Sequence, residues 1–357
     1  MLNPPADREG SDRNGQRPSA KDVARLAGVS TATVSRVINT PDQVDARTQR
    51  LVRAAVAKLR YVPHGAARAL RSHRSRMVGA VVPSFGYALY ARTTSALQAV
   101  LDPKRYALVL AEHHYDLRTE LRITDQLISH GVDAFVFVGL HHEPALFARL
   151  ASYGRPYVLT WGVDPMRRHP SIGFDNRAAT FAMTRHLIGL GHRRFGLLSA
   201  STRGNDRALE RGAGMRAALA EAGLGLDERC VQFGAIDLAA AAGMMRKLLA
   251  LKRRPTAVVC TNDVFAVGAM VACREQGVRI PDEISITGVD NTDLGATQTP
   301  GLTSIRTPIV EIGRAAAEQL IARLEDRPYV AFETLPFELV LRGSTGPPPA
   351  APPLSRG

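Results

Sequence analysis

The chain opens its regular pattern at residue 21, where apolar and polar positions alternate with helical spacing in three short runs. Val23, Ala24 and Ala27 share one face of a first helix. Gly28 follows, at a place where the backbone must turn sharply and where positive φ costs little only for glycine. Ser30 is placed to cap a second helix, in which Val34, Val37 and Ile38 repeat at i, i+3 and i+4. The face left outside carries Thr31, Ala32, Thr33, Ser35, Arg36 and Asn39, short polar or small side chains with one arginine. Such a face fits a DNA major groove and offers donors to base edges. Asp45 then starts a third helix, with Leu51, Val52, Ala55, Val56 and Leu59 as its apolar stripe. A helical hairpin with no DNA role is the plain alternative.

From Met77 the pattern becomes short apolar runs separated by amphipathic stretches. Strands are predicted at residues 77–82, 106–111, 134–139 and 157–161, with helices near 91–102, 117–130 and 143–152. A second series follows, with strands at 194–199, 231–234, 256–260 and 284–289 and helices near 176–190, 206–222, 238–251 and 263–276. A last helix near 308–325 and a strand near 337–341 close the chain. Two such series predict an α/β core of two doubly wound parallel-sheet lobes, the periplasmic-binding-protein-like arrangement, behind an all-α helix-turn-helix headpiece. Ligands of open parallel sheets sit beyond the carboxyl ends of the strands, so two facing lobes place one ligand in the cleft between them.

Charge sharpens this division. The 357 residues carry a net charge of +13. Residues 1–76 hold 15 Lys and Arg against 6 Asp and Glu, while the rest hold 31 against 27. The excess therefore lies on the headpiece side, as phosphate neutralisation requires. Cys230, Cys260 and Cys273 lack metal or disulfide spacing and read as buried reduced thiols. No apolar run is long enough to span a membrane, and residues 1–16 lack the apolar core of a signal peptide, which leads to a cytoplasmic expectation. No GxSxG, P-loop or HExxH stretch occurs, and Gly212-Ala213-Gly214 falls within a helix, so neither an enzyme nor a cofactor is expected.

Several polar residues stand directly after predicted strands: Asn262 and Asp263, Asp290 and Asn291, and the single tryptophan Trp161. Arg207 and Arg211 lie one turn apart on the same helical face. Amides and carboxylates pair with sugar hydroxyls, aromatic faces stack on sugar rings, and arginine grips carboxylate or phosphate. Local roles compete for each: helix caps for Asp290 or Asp263, ion pairs of Arg207 with Asp206 and of Arg211 with Glu210, and a packed indole for Trp161. The pairs His113-His114 and His141-His142 each follow a strand. Solvent-facing loop histidines are the plain reading, with ligand lining or a metal site as the others.

The strings Asp22-Val23-Ala24, Ala27-Gly28-Val29-Ser30 and Thr33-Val34-Ser35-Arg36-Val37-Ile38-Asn39, with Tyr61-x-Pro63 and Ala66-Ala67-Arg68-Ala69-Leu70, closely resemble the headpiece and hinge of the LacI/GalR family of bacterial transcription regulators. The resemblance runs from about Arg17 to about Arg342. It implies base contacts by Thr31, Ala32 and Arg36, and a minor-groove wedge at Leu70 that kinks the duplex. It implies effector contacts by Arg211, Asn262 and Asp290, an aromatic contact at Tyr90 and an acid at the lobe junction, Asp175. The stretch Asn205-Asp206-Arg207…Arg211 is similar to the gluconate-type repressors of that family, which points to a sugar acid rather than a neutral sugar.

The expected organisation is a tail at 1–16, a headpiece at 17–63 and a hinge at 64–76. A core follows at 77–345, with one lobe at about 77–175 and 306–336 and the other at about 176–305 and 337–345, and then a tail at 346–357. The implied function is a ligand-responsive regulator, a repressor of a sugar or sugar-acid catabolic operon. It binds a palindromic DNA operator as a homodimer or a tetramer, with no membrane partner. A solute-binding protein of the same core fold is the alternative.

Overall fold

Ser19, Ser30 and Asp45 each start a helix in the computed structural model, which describes residues 18–62 and 74–350. Helix α1 (Ala20–Ala27) begins with a reciprocal cap: the Ser19 hydroxyl accepts from the Asp22 N–H, and the Asp22 carboxylate accepts from the Ser19 N–H. It ends at Gly28 with φ 66°, the left-handed turn that the sequence called for. Helix α2 (Thr31–Asn39) is capped by Ser30, and α3 (Ala46–Leu59) by Asp45. Val23, Ala24, Ala27, Val34, Val37, Val52 and Ala55 form their common core. Leu51 does not join it and is 47% exposed. The buried row of α3 runs 52, 55, 56, 59, and Leu51, four residues before Ala55, lies about 40° beyond the edge of that row.

The chain divides between Ser75 and Arg76 into two compact units. The second contains two six-stranded sheets. The first sheet uses β1 (Met77–Val82), β2 (Ala107–Glu112), β3 (Ala134–Val138), β4 (Tyr157–Thr160), β5 (Ser171–Gly173) and β11 (Phe332–Thr334), in the order β11-β5-β4-β3-β1-β2 and parallel throughout. The second uses β6 (Phe195–Ala200), β7 (Val231–Gly234), β8 (Ala257–Cys260), β9 (Ser285–Val289), β10 (Thr303–Arg306) and β12 (Glu338–Val340), in the order β12-β10-β9-β8-β6-β7. Its neighbours are parallel except for β12, which runs antiparallel to β10. The chain leaves this sheet through β10 and re-enters it through β12, so the two adjacent strands point opposite ways.

Helices α4 (Ala88–Leu101), α5 (Leu117–Ser129) and α6 (Pro144–Ser152) connect strands of the first sheet, and α12 (Ile309–Leu324), on the way back from β10, packs against it. Helices α7 (Asn176–Gly189), α8 (Asp206–Glu221), α9 (Leu238–Leu249), α10 (Asp263–Glu275) and the single turn α11 (Asp293–Ala296) serve the second. The central strands β1, β3, β8 and β9 are buried almost end to end, as parallel strands covered on both faces must be. The sequence pattern missed β5, β10, β11 and α11. Each is three or four residues long, too short to show a period.

Three passages between the sheets follow β5, β10 and β11. The ordered chain also runs past residue 345, where a tail was expected. Gly346 bonds Ser285 through both backbone groups, and its carbonyl lies 2.9 Å from His192 Nε2. Residues 64–73, most of the expected hinge, lie outside the described residues, as does the expected tail at 1–16.

Candidate functional site

On α2 the expected DNA-reading residues separate into two groups. Thr31, Ala32 and Arg36 are exposed. Thr33, Ser35 and Asn39 are engaged locally: the Thr33 hydroxyl lies 2.9 Å from that of Ser30, and Asn39 Nδ2 donates to the Ser35 carbonyl at 2.8 Å. The exposed set is therefore two small side chains, one long cation and Asn39, whose amide is already tied to Ser35; Thr33 and Ser35 are half-buried. Leu70 lies outside the described residues.

In the second unit the carboxyl ends of the two sheets line a narrow inner chamber of about 30 Å³, room for a water or two. The first lobe contributes Tyr87, Leu89, Tyr90, Tyr115 and Trp161, and the second Asn205, Arg207, Arg211, Ile236, Thr261 and Asn262. Five of the seven expected effector residues thus line one space: Tyr90, Trp161, Arg207, Arg211 and Asn262. It opens past Tyr87 and Tyr115 into a wider space of about 530 Å³, lined by Ser84, His114, Ser201 and Arg203.

Each arginine has a distinct setting. Arg211 Nε donates to Asn176 Oδ1 at 2.8 Å and Nη1 to the Thr261 carbonyl at 2.6 Å, while Nη2 lies 3.7 Å from Asp290 Oδ1. Asn176 in turn donates to the Trp161 carbonyl at 2.7 Å. Arg211 is therefore a clamp across the junction of α7, α8 and β9. Its partner is Asp290 and not the neighbouring Glu210. Arg207 Nη1 pairs with Asp206 at 2.8 Å, the local ion pair weighed from the sequence, but Nη2 is buried with no hydrogen-bond partner among the described residues. Burial works against its charge; Asp206 and the Tyr90 and Tyr115 hydroxyls outweigh that effect and keep its pKa raised.

Asp290 is 1% exposed and sits directly behind the wall, at a φ of 109°. Its Oδ2 accepts from the Tyr87 hydroxyl, and its Oδ1 has no hydrogen-bond partner among the described residues. Burial foremost, with the charge of Asp263 adding to it against the pull of Arg211, pushes its carboxyl up to about 7. Asp263 itself is structural. It holds the Ser304 hydroxyl at 2.6 Å and both the N–H and hydroxyl of Thr292, and burial raises it to about 6.

Two expectations fail. Asp175 stands apart from the chamber on an exposed position, where its carboxylate accepts from the Ala178 N–H at 2.8 Å and caps α7. The junction residue tied to the site is its buried neighbour Asn176, which holds Arg211 and the Trp161 carbonyl from behind the wall. The histidine pairs each split: His114 and His141 are exposed, but His113 and His142 are buried around Glu120, not in solvent. Alternation along a chain turning out of a strand predicts one in and one out. Which member goes in depends on the loop. Tyr87, Tyr115, Asn176 and Thr261 were not singled out from the sequence; Tyr115 follows directly on the noted His113-His114 pair.

The chain matches two family descriptions, bacterial regulatory proteins of the lacI family over residues 19–64 and a periplasmic binding protein-like domain over residues 184–345. It is 35% identical to the HTH-type transcriptional regulator GalR of Escherichia coli K12, over 86% of this chain and 90% of that one. The chain belongs to the LacI family of bacterial transcription regulators. Within this family it is also 29% identical to GntR of E. coli K12, over 87% of this chain and 92% of that one. The lac repressor dimer bound to operator and the anti-inducer ONPF superposes with a TM-score of 0.82 at 26% identity, covering 93% of this chain and all of that one. Like these LacI-family relatives, the chain is a DNA-binding transcription regulator with an effector-binding core.

Proposed function

We propose that the chamber takes a small sugar acid and that its occupancy changes the grip of a homodimer on a palindromic operator, repressing a sugar-acid catabolic operon in the cytoplasm. The hinge expected at 64–76 is the joint between the two events, so that two distinct sites share one coupling free energy. Arg207, Arg211, Trp161, Tyr90 and Asn262 are the contacts, with Asp290 behind them. Arg36, Thr31 and Ala32 read the operator, and Leu70 wedges it open.

The observation that carries the acid assignment is the surplus of donors in the chamber. Arg207 Nη2 and Trp161 Nε1 are both buried without a partner among the described residues. Asn205 and Asn262 spend their side-chain oxygens as caps of α8 and α10, at 3.2 Å and 2.9 Å, so each has only its amide N–H groups left to offer. Four donor groups and two helix N-termini favour an oxygen-rich anion. Calorimetric titration of the full chain with gluconate and with glucose tests this reading. Gluconate should bind more tightly by about tenfold or more; tighter binding of glucose would overturn the acid assignment.

A further inference from the structure

Glu120, His113 and His142 form a buried group beneath the point where the two lobes touch. Glu120 is on α5 and is 0% exposed; His113 and His142 follow β2 and β3 and are 2% and 7% exposed. His142 Nδ1 lies 2.8 Å from Glu120 Oε2, and its Nε2 lies 3.0 Å from the Gly139 carbonyl. His113 Nε2 lies 3.8 Å from Glu120 Oε1. Gly139 and Leu140 make one of the contacts between the lobes. The Leu140 N–H donates to Asp206 Oδ2 at 3.0 Å, and a Cβ on Gly139, whose φ is 99°, would collide with the Arg207 guanidinium.

We propose that His142, held by Glu120, is a proton-dependent positioning residue: it fixes the Gly139–Leu140 turn, and through that turn the Asp206–Arg207 pair that borders the effector chamber. Both ring nitrogens of His142 face oxygen acceptors. A neutral imidazole has one N–H, so the Glu120–His142 pair must carry one proton beyond a carboxylate and a neutral ring to make both bonds. Without it, one lone pair confronts an oxygen at about 3 Å. The other groups facing the pair are His113 and Tyr115 on the first lobe, His169 beyond the Phe147 ring, and Arg207 and Asp206 across the contact. Burial holds His113 below its ordinary pKa, and at 3.8 Å it is farther from Glu120 than His142 at 2.8 Å, so His142 is the carboxylate's hydrogen-bond partner. The sign follows directly. Both bonds of the closed turn form only while the pair holds that extra proton, so its loss weakens closure.

The consequence for Arg207 rests on the reading of the chamber given above, but the test needs no effector. Amide hydrogen exchange of the full, unliganded chain is followed in peptides spanning 139–142 and 205–208, scanned about two pH units either side of the ordinary imidazole value of about 6.5 and corrected for intrinsic base catalysis. In the wild type, protection of both peptides falls by about tenfold with rising pH, the loss expected for one hydrogen bond to a charged group. In E120Q the amide donates to neutral His142 while Nε2–H stays on Gly139, so protection persists and the pH step disappears. In H142A both peptides are open at every pH. A flat wild-type profile, an unchanged step in E120Q, or an H142A effect that spares 205–208 would overturn the proposal. A separate gluconate titration then judges the effector reading alone.

Discussion

The Tyr87 hydroxyl, beyond the end of β1 in the first sheet, donates to the buried carboxylate of Asp290, beyond the end of β9 in the second. The bond ties the two lobes together across the chamber, and the carboxylate it uses also faces Arg211. Tyr87→Phe removes the donor and leaves Asp290 with the arginine alone. An unsatisfied buried acceptor costs about 1–3 kcal/mol, so the melting temperature should fall by several degrees. Differential scanning calorimetry of the two proteins at equal concentration checks this, and equal transitions would remove the bond from the energetics.

Asp290 gives the core a pH signature of definite sign. Its folded pKa, about 7, is raised above the unfolded value of about 3.9. Between those values the native chain holds a proton that the unfolded chain does not, so this group's contribution to stability grows as pH falls from about 7 toward about 4 and is least above 7. Asp263, raised to about 6, acts in the same direction. Asp290→Asn should flatten the slope of unfolding free energy against pH without abolishing it. Urea melts at several pH values give the slope; an unaltered slope would mean that Asp290 is ionised throughout.

Arg211 and Arg207 should part company on mutation. Above pH 7, where Asp290 is ionised, Arg211→Met leaves it as a buried charge without its counter-ion and strips the Asn176 and Thr261 carbonyl contacts, so the core should lose roughly 3–5 kcal/mol. Arg207→Ala breaks one partly buried pair, whose Asp206 is still held by the Leu140 N–H, and should cost the core less than Arg211→Met, yet weaken gluconate by one or more orders of magnitude. Melting curves beside calorimetric titrations separate the two. Gluconate affinity unchanged in Arg207→Ala would take Arg207 out of the site.

How legible all this was in the sequence varied with range. The headpiece was almost fully readable, because its caps and its core are set within a few residues of each other: Ser30 with Thr33, Asp45 with Thr48, Val34 with Val37. The lobes were readable as long apolar runs, and the site as polar residues at strand ends. Tyr87 escaped notice because nothing near it in the chain foretells Asp290, 203 residues on. Asp175 stands at the lobe crossing as expected but misled as an effector contact, because its carboxylate is spent capping α7. The inward turn of His113 and His142 depends on Glu120, a buried carboxylate on a helix whose amphipathic pattern places it no differently from a surface acid.

On the headpiece, Arg36→Ala should abolish specific operator binding and leave gluconate binding untouched. Arg36 is the one exposed cation on α2. A lost base contact costs about 1–3 kcal/mol, and a dimer loses it twice. Gel shifts at fixed salt with the DNA upstream of the chain's own gene show the effect, and an unchanged operator Kd would place the reading elsewhere on the headpiece.

Operator affinity measured with and without saturating gluconate is the most direct measurement of coupling between chamber and headpiece. Fluorescence anisotropy of the full wild-type chain should show the operator Kd shifting by roughly 5–150-fold, the range of a coupling free energy of 1–3 kcal/mol, and Arg207→Ala should lose that shift at the same gluconate concentration. If the wild-type Kd stays the same while calorimetry shows the chamber filled, occupancy and DNA binding are uncoupled and the regulatory mechanism is contradicted.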